Sequence, residues 1–429
     1  MTRQARLSAT RPSGLPGLVG AHTLAVVGNV VTLVALPLYV LDETGSAVLT
    51  GVLAIATTLP IVLGGALGGV LVDRFGYRRS SIVSDLVGAA TISAIPLLHA
   101  TVGLPLWGLF ALVFATGLLD APGQGARTAL VPEAAGRAGV PLDRAMGWWG
   151  AAQRSGAMIG APLAGLLVAW LGPIVVLVLN GATFLVSALL VQRTVPVDLQ
   201  AEDDPTGPGA SGDAPDEAYW AALRAGLQAV WSARLLRAVV LMVLLTNALD
   251  VGLLNVALPV YAADELGGAR AYGLLVGAFG LGALTGSLVY SAVGTRVSRR
   301  ATYALGFALA GPPMCFALAA RPGLVGCVAV MVVGGLAAGA LNPIIGTLLL
   351  EQVPRRMRAR VNGAVGAGAW AAMPVGALGA GVLVEEVGLV TALVVMGAAY
   401  TVIVVGPFVL PVWRGLERPR TVGTVDDHG

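Results

Sequence analysis

The sequence predicts an all-α polytopic membrane protein of 12 transmembrane helices in two pseudo-symmetric six-helix bundles. Three observations predict it: apolar runs that recur along the chain, an internal repeat near half its length, and a lopsided distribution of arginine. Hydrophobic residues make up 56% of the 429 and charged residues only 11%, with a mean hydropathy of +0.83. A soluble domain carries far more charge than this. Runs of about 20 apolar residues, each enough to cross the hydrocarbon core as a helix, fall near 18–41, 47–72, 80–100, 104–128, 145–169, 172–192, 237–262, 271–294, 301–320, 323–350, 361–385 and 389–412.

The repeat is explicit. Val34-Ala35-Leu36-Pro37-Leu38-Tyr39 returns with one change as Val256-Ala257-Leu258-Pro259-Val260-Tyr261. Asp42-Glu43, Gly45 and Gly51 return as Asp264-Glu265, Gly267 and Gly273, all at an offset of 222. Later, Gly165-Leu166-Leu167-Val168 with Gly172 returns as Gly381-Val382-Leu383-Val384 with Gly388 at an offset of 216. The difference implies about six extra residues between the fourth and fifth runs of the first half. Duplicated bundles of apolar helices build binding sites at the repeat interface near the bilayer midplane.

Arginine sets the orientation. All 26 basic residues are Arg, and 22 fall in the tails and in the loops on one side of the predicted spans. Arg270 and Arg321 lie in loops on the other side, and Arg127 and Arg154 within helices. By the positive-inside rule both termini are cytoplasmic, in a multi-pass protein of the cell membrane. The pI near 9.1 then reports topology and lipid head-group contact, so no nucleic-acid partner is expected. The first apolar run extends past the length of a signal-peptide core and reads as a retained helix. Cys315 and Cys327 read as small buried hydrophobes, His22, His99 and His428 are far apart, and neither a metal nor a cofactor is expected.

The predicted organisation is a cytoplasmic tail (1–17), an N-terminal bundle (18–192), a cytoplasmic linker (193–236), a C-terminal bundle (237–412) and a cytoplasmic tail (413–429). The linker opens rich in Gly, Pro and acid, a composition of disorder. Over 217–234 it carries Tyr219, Trp220, Leu223, Leu227, Val230 and Trp231 at helical spacing, an amphipathic helix on the membrane surface that acts as an anchor or a regulatory element.

Gly69-Val70-Leu71-Val72-Asp73-Arg74-Phe75-Gly76-Tyr77-Arg78-Arg79 is a helix end, an acid, a turn glycine and a basic cluster. Arg78 and Arg79 alone would serve as topology signals. The full spacing resembles the signature of the major facilitator superfamily. The resemblance implies that Asp73 pairs with the N-terminal end of the eleventh helix and locks one state by charge–dipole contact. Gly69, Asp73, Arg74, Gly76, Arg78, Arg79 and the nearby Asp85 then form a cytoplasmic gate. The second-half counterpart keeps Arg296, Arg299 and Arg300 but no acid, so the implied latch is one-sided.

Gly147, Gly156, Gly160, Pro162 and Gly165 allow close helix approach and a bend in the fifth helix. Their spacing resembles the antiporter motif of exporters in that family, with departures at Ala161, Ala164 and Leu166. Residues 126–133, Gln153-Arg154, 161–165 and 180–184 resemble the branch that holds macrolide-efflux and enterobactin-exporter proteins. That resemblance implies export of an amphiphilic small molecule by proton antiport. A lipid or metabolite carrier, or a non-pumping sensor, keeps the same fold. A membrane enzyme would need a nucleophile–base or metal constellation at membrane depth, and the sequence offers none.

Ionisable groups inside spanning helices are costly and therefore functional candidates. Asp250 lies some 13 residues into the seventh run, roughly 20 Å along it at 1.5 Å per residue, hence mid-membrane. An isolated carboxyl there is costly to ionise and could carry a proton; alternatively it is a neutral acid bonded to Asn247 or to backbone. Asn29 falls near the repeat-related position, so the two could face one cavity. Asp120 and Arg154 sit at similar depth in neighbouring helices and could pair, either structurally or as a gate that contacts an anionic substrate. Asn29, Asp120, Gln153, Arg154, Asn247 and Asp250 are thus the candidate substrate and proton pathway. Trp148 and Trp149 read as interface anchors. The expected partners are a small-molecule substrate, protons and the lipid bilayer, and a monomer is expected.

Overall fold

The computed structural model describes residues 13–197, 224, 227–294, 296–353, 361, 365 and 371–417. The first half runs α1 (Leu15–Thr44), α2 (Ala47–Phe75), α3 (Tyr77–Thr101), α4 (Leu106–Ala129) and a short α5 (Val131–Ala138). A 53-residue helical stretch, Leu142–Thr194, follows, broken where Gly172 takes φ 78° and ψ 164°. It divides into α6 (142–171) and α7 (173–194). A residue with a Cβ is strained at that φ, so glycine followed by Pro173 makes the reversal.

The second half runs α8 (Arg234–Gly252), a π turn (Leu253–Ala257), α9 (Leu258–Glu265), α10 (Ala269–Val293), α11 (Arg299–Ala310), α12 (Pro312–Ala319), α13 (Gly323–Ala338), α14 (Leu341–Gln352), α15 (Met373–Val387), α16 (Leu389–Val409) and a 3₁₀ turn, Pro411–Leu416. Among the described residues, nine helical segments are long and apolar enough to cross a bilayer. Their outer surfaces carry Trp170, Val325 and Val402, each more than 70% exposed, which suits lipid rather than water. Most of the expected linker helix lies outside the described residues; its last turns, 227–232, are helical, and Val230 is buried against Leu236 and Val240.

Alternation of antiparallel helices gives the molecule two ends: the terminal end, near Leu15 and Val409, and the far end, near Thr44 and Ala47. The apolar core is organised differently at each. Towards the far end, one cluster joins both halves and includes both copies of the repeated stretch, Val34–Tyr39 and Val256–Tyr261. Towards the terminal end each half keeps its own core, around Leu18, Leu130 and Trp149 in one and Tyr303, Phe307 and Trp413 in the other.

The far-end seam is made of glycine. On one side α6 meets α10, where a Cβ on Gly165 would collide with the Gly273 carbonyl oxygen and one on Gly273 with that of Gly165. On the other side α2 meets α15: a Cβ on Gly51 would lie 2.6 Å from the Ala377 oxygen, and one on Gly381 2.6 Å from the Ala47 oxygen. Both contacts use repeat-related pairs, Gly51/Gly273 and Gly165/Gly381. Small residues let helix backbones approach where lipid gives no hydrophobic drive to associate.

At the terminal end the repeat reuses one capping device. Arg78 donates from Nε to the Val195 oxygen (2.8 Å) and from Nη2 to the Gln192 oxygen (2.7 Å), at the end of α7. Arg300, 222 positions later, donates to the Pro407 oxygen (3.1 Å) and the Phe408 oxygen (3.2 Å) at the end of α16. Each arginine thereby satisfies carbonyls that the helix end leaves open and meets the negative pole of the dipole.

Candidate functional site

A cavity of about 490 Å³ lies between α1, α2, α3, α4 and α6. Val26, Val30, Leu33, Leu36, Ile92 and Val113 make its walls apolar; Asn29, Thr57, Thr58, Thr116, Asp120, Gln124 and Gln153 supply its polar groups. Asn255, on the π turn of the second half, reaches the adjoining crevice at Leu33, Leu36 and Thr57, so the cavity borders the interface between halves. An apolar enclosure with a few placed polar groups is the usual form of a small-molecule site.

Asp120 is its charged centre. Asn29 Nδ2 donates to Asp120 Oδ2 at 2.8 Å from α1, and Gln124 Nε2 donates to the same oxygen at 2.7 Å from the next turn of α4. The second carboxylate oxygen, Oδ1, has no partner among the described residues although it is buried. Two amides therefore fix the carboxylate's orientation and leave one oxygen for a cation, a donor or a proton.

Asp120 and Arg154 are not brought together. Arg154 is exposed on α6, and its guanidinium lies back over Gly150 on the same helix. Neutral amides serve the carboxylate in place of the expected cation. Gln153, one residue earlier, does line the cavity.

Asp250 sits apart from this cavity. Tyr400 on α16 donates from Oη to Asp250 Oδ1 at 3.1 Å. The ring of Tyr400 is buried, in a slot left by Gly311 at the start of α12, where a Cβ would overlap it. The sequence offered Asn247 or backbone as bond partners; the tyrosine, 150 residues away, gave no local sequence signal. Three residues after Asp250 the π turn begins at Leu253; it widens the helix just before Pro259, where the ring removes a backbone donor. Its expected meeting with Asn29 across one cavity is not seen, because Asn29 is engaged by Asp120.

The expected link between Asp85 and the Arg78-Arg79 cluster is replaced by a different pair. Asp85 and Arg127 are both fully buried; Arg127 Nη1 donates to Oδ1 at 2.7 Å and to Oδ2 at 2.9 Å, and Ser187 Oγ donates to Oδ2 at 2.6 Å. Arg78 is occupied by the end of α7, and Arg79 is exposed. The signal was available: an arginine inside an apolar helix requires a carboxylate partner.

Trp148 is half exposed, as an interface anchor would be, but Trp149 is buried and stacks on His22 of α1, with ring centroids 3.9 Å apart and planes within 9°. The glycines of α6 divide by partner. Gly156 and Gly160 face Val26 and Val30 of α1, Gly165 faces α10, and Gly147 meets nothing. Pro162 lies near Gly277 of α10. The surroundings of Gly69, the side chains of Asp73 and Arg74 and most of the eleventh-helix N-terminus lie outside what is described, so the implied latch does too; Gly76 is described and starts α3 with φ 78°.

Comparison with known proteins decides the family. The sequence profile of the Major Facilitator Superfamily matches residues 18–247 and again 240–427. The chain belongs to the major facilitator superfamily. It is 32% identical over 391 residues to the multidrug efflux pump Tap of Mycolicibacterium fortuitum, spanning 89% of this chain and 92% of that protein. It is 30% identical over 372 residues to Tap of Mycobacterium tuberculosis, 86% of each chain. Among solved structures, the nucleoside transporter NupG superposes with TM-score 0.71 at 16% identity, over 92% of this chain and 98% of that one. A bacterial homologue of the lysosomal transporter Spinster, described as inward-facing and unoccupied, superposes with TM-score 0.66 at 15% identity, over 95% and 98%. The facilitator fold and a multi-pass membrane transporter follow.

Proposed function

We propose that this facilitator exports an amphiphilic small molecule from the cytoplasm by proton antiport, through alternating access of its two halves. The carrying observation is the cavity around Asp120, apolar in its walls and holding a carboxylate with one oxygen left free. The named activity of the Tap relatives supports efflux as the direction. The arginine bias supports cytoplasmic termini, which makes the terminal end the inner face. Separate cores at that end and a shared core at the far end fit an inward-open state. In this reading Asp120 meets substrate, with Asn29, Gln124 and Gln153 as adaptable neighbours, and Asp250 carries the proton. Rocking of one half against the other exposes each group in turn.

The test is transport in inverted vesicles with an imposed proton gradient. Asp250→Asn is expected to abolish gradient-driven accumulation of a fluorescent substrate while leaving binding intact. Asp120→Asn is expected to weaken binding about tenfold or more, in line with the loss of one charge-assisted contact. Gradient-driven transport at the normal rate in Asp250→Asn would overturn the assignment of the proton carrier.

A further inference from the structure

The two sides of the glycine seam are not chemically alike. Where α2 meets α15, a charged group of the second half closes onto the first. Glu385, near the end of α15, accepts from Ser46 Oγ at 2.6 Å and from the Val48 backbone N–H at 2.9 Å. Ser46 also accepts from the Leu49 N–H at 3.1 Å, and its carbonyl from the Thr50 N–H at 3.2 Å. The open donors at the α2 N-terminus are thus shared between its own serine and a carboxylate from the opposite half. A negative charge at that position also meets the positive pole of α2.

Among the described residues, the other side of the seam shows no such carboxylate bond. Ala169 and Gly268 stand at the positions related by the repeat to Glu385 and Ser46. There, α6 and α10 meet through Gly165, Gly273 and the methyl group of Ala169, with no charged group at the contact.

We propose that Glu385 is the latch of the far-end seam: bound to Ser46 and Val48 of the opposite half, it holds that end sealed, and its release is a step of transport. The interaction joins the two halves, so it exists only while they are closed at this end. Separation of α2 from α15 must break both bonds at once. The latch is exposed at the rim, so its contribution is modest and it tunes an equilibrium that the glycine contacts set. The proposal rests on the alternating-access reading.

The experiment is a distance measurement in the full-length chain in lipid nanodiscs. Cys315 and Cys327 are replaced by alanine, and nitroxides are placed at Ala100→Cys on α3 and Ala320→Cys after α12, both exposed and in opposite halves. Glu385→Ala is expected to raise the ratio of open to sealed distances about threefold, with Glu385→Gln intermediate, on the scale of a rim-exposed charge at a helix end. Ser46→Ala combined with Glu385→Ala should add less than the sum of the two single effects, because both remove one contact. Glu386→Ala, one residue along, should leave the ratio unchanged. If the wild type opens with substrate but Glu385→Ala leaves the ratio at its wild-type value, the latch is overturned and alternating access stands. A wild-type chain with one fixed far-end distance under every substrate condition overturns both.

Discussion

One ion pair of the first half is fully buried, whereas the Arg299 pair of the second leaves its carboxylate partly exposed. Arg127 and Asp85 are each 0% exposed; Arg299 meets Glu351 at 2.5 Å, but that carboxylate is 43% exposed. The repeated tyrosines diverge likewise: Tyr39 meets the His99 ring (3.1 Å), Tyr261 the Cys327 thiol (3.6 Å). Backbone devices, by contrast, are kept in both copies: the seam glycines and the arginine caps on α7 and α16. Duplication preserved what sets helix spacing and left the chemistry of each half free to specialise. Asp120 therefore sits in a cavity and Asp250 against a tyrosine.

The contrast breaks most sharply at the ion pairs. Arg127→Leu strands a buried carboxylate and is expected to cost about 3–5 kcal/mol, whereas Arg299→Leu should cost under about 1 kcal/mol. Thermal unfolding in detergent, followed by the tryptophan signal, compares them; equal losses would mean the halves are equally dry. Asp85→Leu added to Arg127→Leu should recover much of the loss.

A smaller effect grades the seam. Gly165→Ala presses a methyl group onto backbone atoms of α10 and is expected to cost about 1–3 kcal/mol, more than Gly381→Ala opposite Ala47. Gly147→Ala, which meets nothing, should be neutral or gain up to about 1 kcal/mol from helix propensity. The reverse order between Gly165 and Gly381 would show the α2–α15 side to be the tighter.

The smallest change concerns Asp250. Tyr400→Phe removes one donor and is expected to cost about 0.5–1.5 kcal/mol. A shifted pH profile of transport, with substrate binding unaltered, would mark Tyr400 as the group that positions the carboxyl. An unchanged profile would leave it a packing residue.

Much of this was legible in the chain. Apolar run length gives the helices, the offsets of 222 and 216 pick out the glycines that build the seam, and the scarcity of charge singles out Asp120 and Asp250. Pairings across the bundle were less legible. Asp120 takes amides where Arg154 stood at suitable depth, because depth says nothing of which way a side chain turns about its helix. Asp85 takes Arg127 because Arg78 is drawn to the end of α7, a demand set by capping. Trp149 turns inward because His22 offers a flat face. Tyr400 reaches Asp250 only because Gly311 makes room, a coincidence of two distant positions that no local pattern encodes.

Glycine against backbone at the far end also bears on the thermodynamics of bringing the two halves together. A seam of interlocking leucines would freeze their rotamers every time the halves met and release them every time they parted. Glycine and alanine have no such freedom to lose. On the alternating access proposed above, the two faces would meet and separate with little toll in side-chain entropy, as a surface made and unmade in each cycle requires.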